Sequence, residues 1–146
     1  MKRRKFIKNT ALASAAMAFS AQSYARIIGA NDRVRVGVVG FSDRFKSSLL
    51  PPFLSLQKEL NFDIVALSDI WNRRRDEGRQ YLREKLGHDI AVFPNNEALY
   101  DSKSVDAVFI STADFQHAVH TIEAVRAGCD TYTEKPLAET MADARA

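Results

Sequence analysis

Val-Arg-Val-Gly-Val-Val-Gly-Phe-Ser-Asp-Arg-Phe, residues 34–45, is the stretch on which the fold turns. Val34, Val36, Val38 and Val39 make a short β-branched apolar run that stops at Gly40. A run that short and that apolar suits a strand buried on both faces, as in a parallel sheet. A helical apolar spacing follows at Leu49, Leu50, Phe53, Leu54 and Leu60. Strand, glycine turn and helix open a dinucleotide-binding unit, in which a helix N-terminus points its free N–H groups at a pyrophosphate. The G-x-G-x-x-G spacing survives only at Gly40, with Ser42 and Phe45 in the other two places. Taken alone, the stretch fits a plain buried strand with a glycine turn equally well.

The remainder of the chain repeats the alternation. Pro51-Pro52 interrupts the first helical pattern, which predicts a helix start near Pro51 or a kink there. A second strand is predicted over 64–67, with Asp69 at its C-terminal end. A charged helix over 73–86 closes at Gly87. A third short strand over 90–93 stops at Pro94-Asn95-Asn96, and a short helix through Leu99 and Tyr100 leads to a fourth strand over 107–110. A helix over 117–127 ends before Gly128, and a fifth strand over 131–133 runs into Glu134-Lys135-Pro136. Alternation of this kind predicts an α/β fold, a doubly wound parallel sheet of the Rossmann type. The strand at 34–39 should be central, between those at 64–67 and 107–110. Right-handed crossovers bring every strand's C-terminal end to one edge, where ligands bind. Gly40, Asp69, Thr112 and Lys135 all fall at or just past such ends and should meet in one crevice.

Asp69 has a defined task in such a crevice. A carboxylate after the second strand accepts hydrogen bonds from adenosine ribose hydroxyls and repels a 2′-phosphate, which favours NAD over NADP. Arg73, Arg74 and Arg75 stand against this, since they could hold a phosphate. Their alternative is a solvated helix start with i,i+4 partners such as Arg73 and Glu77. Trp71 is placed either over an adenine or in packing. His120 is expected on a solvated helix face, and Cys129, the one cysteine, as a small buried residue. No Cys/His spacing suggests a metal site.

The N-terminus reads as an address. Arg3-Arg4-Lys5-Phe6-Ile7-Lys8 fits a twin-arginine pattern, an uncharged Ala-rich run over 11–21 follows, and Ser23-Tyr24-Ala25 offers small residues for cleavage. The run is too short to span a bilayer comfortably, so no stable membrane anchor is expected. The expected organisation is a signal peptide over 1–25, a linker over 26–33 and the nucleotide-binding domain over 34–146. The twin-arginine export machinery would be a partner and the periplasm the destination. Five of the 21 basic residues lie in this leader, which has no acid, so the rest carries 16 basic against 18 acidic residues. A mildly acidic body leaves no electrostatic footprint for nucleic acid.

Residues 106–118, Asp-Ala-Val-Phe-Ile-Ser-Thr-Ala-Asp-Phe-Gln-His-Ala, and then Ala-Gly-Cys-Asp-Thr-Tyr-Thr-Glu-Lys-Pro-Leu at 127–137, resemble the Gfo/Idh/MocA family of glucose–fructose oxidoreductases and inositol dehydrogenases. The resemblance runs from about Val34 to the end and is most specific at Glu-Lys-Pro. It implies that Lys135 lies beside the nicotinamide and the reacting hydroxyl as the catalytic residue. It implies that Thr112 and His117 line the cofactor, and that Glu134 and Pro136 fix the course of the segment. With Gly40, Ser42, Asp69 and Arg73, these make up the expected cofactor site. Ala113 stands where the family usually has proline, and Cys129 where lysine is common. The family's second domain, with its sugar pocket and an Asp/His pair, would lie beyond Ala146, where the chain stops inside what reads as the next helix, and the full-length protein is expected to be a homo-oligomer.

A secondary alcohol that gives up hydride must also lose its hydroxyl proton. A partly desolvated lysine beside a cationic ring can take that proton or steady the alkoxide. Three functions therefore compete: an exported NAD(P)-dependent oxidoreductase acting on a sugar or polyol hydroxyl, an NAD-dependent glycosidase of the same fold, and a nucleotide-binding relic without catalysis.

Overall fold

The computed structural model describes residues 33–146. The expected signal peptide over 1–25, and all of the linker but Arg33, lie outside the described residues. Five parallel strands form one sheet in the order β3-β2-β1-β4-β5. They are β1 Val34–Val39, β2 Phe62–Ser68, β3 Ala91–Phe93, β4 Ala107–Ile110 and β5 Asp130–Thr133. β1 is central, flanked by β2 and β4 as the alternation predicts.

The faces follow from strand periodicity. Val36 and Val38 point into one apolar cluster with Phe41, Phe45, Leu50, Ile64 and Leu82, while Val39 joins Val108, Ile110, Leu99 and Ala124 in the other. β2 keeps both faces apolar through an irregularity. The β1–β2 register shifts between Val36 and Gly37, so Val36 pairs with Ile64 and Gly37 with Ala66. The extra residue, Val65, lets Ile64 and Leu67 both face the first cluster while Ala66 faces the second.

The first helical segment departs from the expectation at Pro51. Helix begins by residue 43, well before the prolines. Phe45–Leu49 is a wider π turn, and α1 follows over Leu50–Leu56 with both prolines in its first turn. The Leu50 N–H still reaches Phe45 O across the wide turn. The next two positions have no N–H to place, so the change of register coincides with the residues that cannot donate. Phe45 occupies the third fingerprint position, where glycine normally allows close helix–strand packing. Here its ring is fully buried against Phe41 and Phe109.

Helix α2, Asn72–Leu86, ends at Gly87 in the left-handed conformation, with its N–H on Arg83 O. Close packing reappears in this helix at Gly78. A Cβ there would stand 2.5 Å from Leu67 Cδ2 and 2.9 Å from the Phe41 ring. Helix α3, Asn96–Asp101, is capped by Asn95, whose side chain accepts from the Ala98 N–H. Helix α4, His117–Arg126, precedes β5. α1 and α2 cover one face of the sheet, and α3 and α4 the other.

Candidate functional site

The carboxyl edge of the sheet is stitched together before any side chain faces a ligand. The Gly40 N–H donates to Ser68 O at 2.8 Å, and Ser111 Oγ donates to Gly40 O at 3.0 Å. The ends of β2, β1 and β4 are thereby held side by side. Gly40 has φ +82°, and a Cβ on it would lie 2.6 Å from Thr112 Cγ2. Both the backbone and the close approach of the Thr112 loop demand glycine at this position.

Asp69 braces the same turn. Its Oδ2 accepts from the Phe41 N–H at 2.9 Å and its Oδ1 from the Trp71 N–H at 2.8 Å. A carboxylate has about four acceptor positions, so capacity remains for two ribose hydroxyls. Ser42, at the second fingerprint position, accepts the Phe45 N–H on its Oγ at 3.1 Å, inside the helix start. Asp43 brings a negative charge to that start, and Lys46 answers it at 2.8 Å. The hydrogen bond from Lys46 is the main reason that the Asp43 carboxyl titrates below its usual range.

The three arginines separate. Arg74 pairs with Glu77 at 3.2 Å and Asp43 at 3.4 Å, so the helical ion pair is Arg74–Glu77 at i,i+3 in place of the expected Arg73–Glu77. Arg75 donates to Asp69 O at 2.7 Å and also to the Asn72 side chain. Arg73 is exposed beside the Trp71 ring, 5.6 Å from its centroid, and lines neither of the two cavities at this edge. Arg74, its neighbour, lines the larger cavity.

Two adjoining cavities share Ser42, Ser111 and Thr112. The larger, about 850 Å³, is lined by Gly40, Asp69, Trp71, Thr112 and His120 among others. The smaller, about 310 Å³, is bounded by Arg44, Asp114, His117, Glu134 and Lys135. Each falls within the volume range of small-molecule and cofactor sites, with apolar walls and a few polar groups. The four residues expected to converge do so: Gly40, Asp69 and Thr112 on the first cavity, Thr112 and Lys135 on the second.

The Glu-Lys-Pro segment is anchored from both sides. Glu134 is buried; its N–H donates to Ile110 O at 3.0 Å, and its Oε1 lies 3.4 Å from Arg44 Nε. His117 is fully buried, with Nδ1 2.8 Å from Pro136 O and Nε2 3.2 Å from Thr112 O. Both oxygens are acceptors, so the ring bridges the segment and the β4 loop, with the tautomer deciding which carbonyl receives the N–H of a neutral imidazole. Lys135 itself is exposed and reaches the smaller cavity. Pro136 contributes its carbonyl to this anchoring and lines neither cavity.

The expectation for His120 is overturned. It is half-buried, its Nδ1 lies 3.2 Å from Thr112 Oγ1, and it lines the larger cavity. Burial pushes its imidazole pKa down, with His117 acting in the same direction and Glu123 opposing. Arg44, Asn96 and Glu123 also line the cavities, without a motif that marks them. Their positions depend on loops that cross between strands, and only the i,i+3 spacing of His120 and Glu123 on α4 carries any trace of this in the sequence.

A sequence profile of an oxidoreductase family with an NAD-binding Rossmann fold, GFO_IDH_MocA, matches residues 34–146. The chain is 33% identical over 114 residues to an inositol 2-dehydrogenase of Agrobacterium fabrum, covering 77% of this chain and 31% of that protein. It is 31% identical over 104 residues to a dTDP-3,4-didehydro-2,6-dideoxy-alpha-D-glucose 3-reductase of Actinomadura kijaniata, covering 71% of this chain and 29% of that protein. Among solved structures, KijD10, a 3-ketoreductase of Actinomadura kijaniata in complex with TDP-benzene and NADP, superposes with a TM-score of 0.62 at 27% identity, covering 78% of this chain and 33% of that one. The WlbA dehydrogenase of Chromobacterium violaceum, in complex with NADH and UDP-GlcNAcA, superposes at 0.61 with 21% identity, covering 76% and 30%, and shows likeness of fold. The chain thus spans about a third of the length of the relatives it matches.

Proposed function

Because this chain belongs to the Gfo/Idh/MocA oxidoreductase family, we propose that it is the nucleotide-binding domain of an exported enzyme that moves hydride between NAD and a sugar or polyol hydroxyl. The observation that carries this reading is Lys135, on the anchored Glu-Lys-Pro segment, lining the smaller cavity that adjoins a larger one lined by Asp69. The residues fit a dinucleotide. Asp69 keeps acceptor capacity for a ribose diol, and the turn after Gly40 opens a helix where a pyrophosphate is favoured. Thr112, His117 and Lys135 surround the space for the nicotinamide end. The bound nicotinamide supplies the hydride chemistry. This chain's contribution is the ammonium or amine of Lys135, which takes the hydroxyl proton or steadies the alkoxide.

NAD is preferred to NADP in this reading. Arg74 and Arg75 are already engaged by carboxylate, carbonyl and amide oxygens, and the Asp69 carboxylate repels a 2′-phosphate. The NADP in KijD10 is the reason to measure both. Titration of the full-length protein should give the tighter Kd with NAD, and failure to bind either dinucleotide would overturn the reading. Turnover on sugars and polyols should accumulate reduced cofactor. Product without net reduction would assign the NAD-dependent glycosidase instead.

The twin-arginine leader, the periplasmic destination and homo-oligomeric assembly complete the proposal. Replacing Arg3 and Arg4 by lysine should keep the protein in the cytoplasmic fraction. Unchanged export would remove that pathway.

A further inference from the structure

The larger cavity has a wall that the hydride chemistry does not use. Beside Asp69, the space is also lined by Ile70 and Trp71 and by Asn96, His120 and Glu123. Ile70 and Trp71 are exposed apolar side chains, a platform for a flat ring. The second group is polar and internally ordered. Ser68 Oγ donates to Asn96 Oδ1 at 2.8 Å, and Asn96 Nδ2 donates to Glu123 Oε2 at 3.0 Å. A carboxylate only accepts, so this chain of bonds fixes which way the Asn96 amide faces. Ser68 is buried at the end of β2, which ties the wall to the sheet. Glu123 Oε1 has no partner within the described residues.

We infer that Glu123, oriented by Asn96 and Ser68, reads the 6-position of the purine in the bound dinucleotide and selects adenine there. The inference rests on the dinucleotide reading. With the pyrophosphate at the Gly40 turn and the ribose on Asp69, the base is the next group along the cavity, between Trp71 and α4. Adenine presents a 6-amino donor, which a carboxylate oxygen accepts. A 6-oxopurine presents an acceptor to the same oxygen, and the two repel. Burial lowers the His120 pKa, which disfavours a compensating cation beside Glu123 at this wall.

The test compares NAD with nicotinamide hypoxanthine dinucleotide, which carries a 6-oxo group and an N1–H where adenine has a 6-amino group and a bare N1, by calorimetric titration of the full-length protein. The wild type should bind NAD about tenfold more tightly, the scale of one charge-assisted hydrogen bond. In Glu123→Gln, Asn96 Nδ2 keeps the amide oxygen, so the NH₂ turns to the base and donates to a 6-oxo group. The preference should then fall to about twofold or less, or invert. Glu97 lies on the same wall, but its carboxylate takes no partner among the described residues, so Glu97→Gln controls for charge alone and should leave the preference intact. A preference unchanged by Glu123→Gln, or abolished equally by Glu97→Gln, overturns the assignment while the dinucleotide reading stands. A wild type that binds neither compound overturns both.

Discussion

Gly40 shows how much of this crevice one residue decides. An alanine there meets two separate penalties: a left-handed backbone at φ +82° and a methyl group 2.6 Å from Thr112 Cγ2. The first costs about 1–2 kcal/mol and the second about 1–3 kcal/mol. Gly40→Ala should therefore lower stability by both amounts, as read from urea midpoints. Adding Thr112→Ser, which removes Cγ2, should restore only the steric share. Complete rescue by serine would show that the backbone conformation carries no cost. Asp69 is a second case of one side chain in two roles. Because its carboxylate receives the Phe41 and Trp71 N–H groups, Asp69→Ala should destabilise the protein by about 1–3 kcal/mol and weaken NAD and NADP together, besides narrowing the gap between them. Unaltered stability with a narrowed gap would reduce Asp69 to a ribose ligand. Lys135 stands apart from both, since it is exposed and braces nothing. Lys135→Met in the full-length enzyme should slow hydride transfer by about two to four orders of magnitude and leave NAD affinity nearly unchanged. Joint loss of binding and turnover would assign a structural role to the segment.

At the scale of elements, the divergent fingerprint is compensated by neighbouring elements. The first helical segment accepts Phe45 by widening into a π turn, and the close approach of helix to sheet passes to Gly78 on α2. Gly78→Ala therefore sets two effects against each other. Helix propensity favours alanine by about 1 kcal/mol, whereas Leu67 and Phe41 leave no room for its methyl. We expect packing to win, with a net loss of about 1–2 kcal/mol in chemical denaturation. A stabilised variant would show that the Phe41 ring shifts freely. This exchange also explains what was legible. β1 and β4 match their predicted bounds because each is a short apolar run closed by a glycine or polar residue. The carboxyl-edge residues were legible because strand ends in a right-handed parallel sheet must share an edge. The π turn was not, since Phe45 carries no local sign that its helix must widen. His120 and Glu123 read as a solvated helix face because the Thr112 loop and Asn96, which turn that face into a cavity wall, come from other parts of the chain. The sequence does not separate Arg73 from Arg74 because adjacent residues on a helix differ by about 100° in direction, and only the packed helix shows which one faces the crevice.

For the molecule as a whole, the two ends of the sheet divide the work. The carboxyl end carries the cavities, and the amino end carries clasps between strands. Arg35 holds Asp106 through Nε at 3.0 Å and Nη2 at 2.7 Å, joining β1 to the start of β4. Asp63, buried near the start of β2, gathers Arg33 at 3.1 Å, Gln57 at 2.6 Å and His88 at 3.2 Å, and so joins the segment after α1 to the α2–β3 loop. The His88 pKa is raised above its ordinary 6.5, first by the hydrogen bond to Asp89 O and then by Asp63, with burial and Arg33 opposing. A raised folded pKa fixes the sign. The stabilisation is fully present below the unfolded value near 6.5 and is lost as pH rises through the folded value. His88 is 40% exposed, so solvent screening holds the loss below about 1 kcal/mol. Urea midpoints at about pH 5.5 and about pH 8.5 should therefore fall more for the wild type than for His88→Gln, which keeps a neutral donor at that position. NAD affinity in the same variant should match the wild type at both pH values, because the clasp lies at the opposite end of the strands from Asp69 and Lys135. Equal pH dependence in the two proteins would remove His88 from the clasp, and a loss of NAD affinity in the variant would show that the two ends of the sheet are coupled.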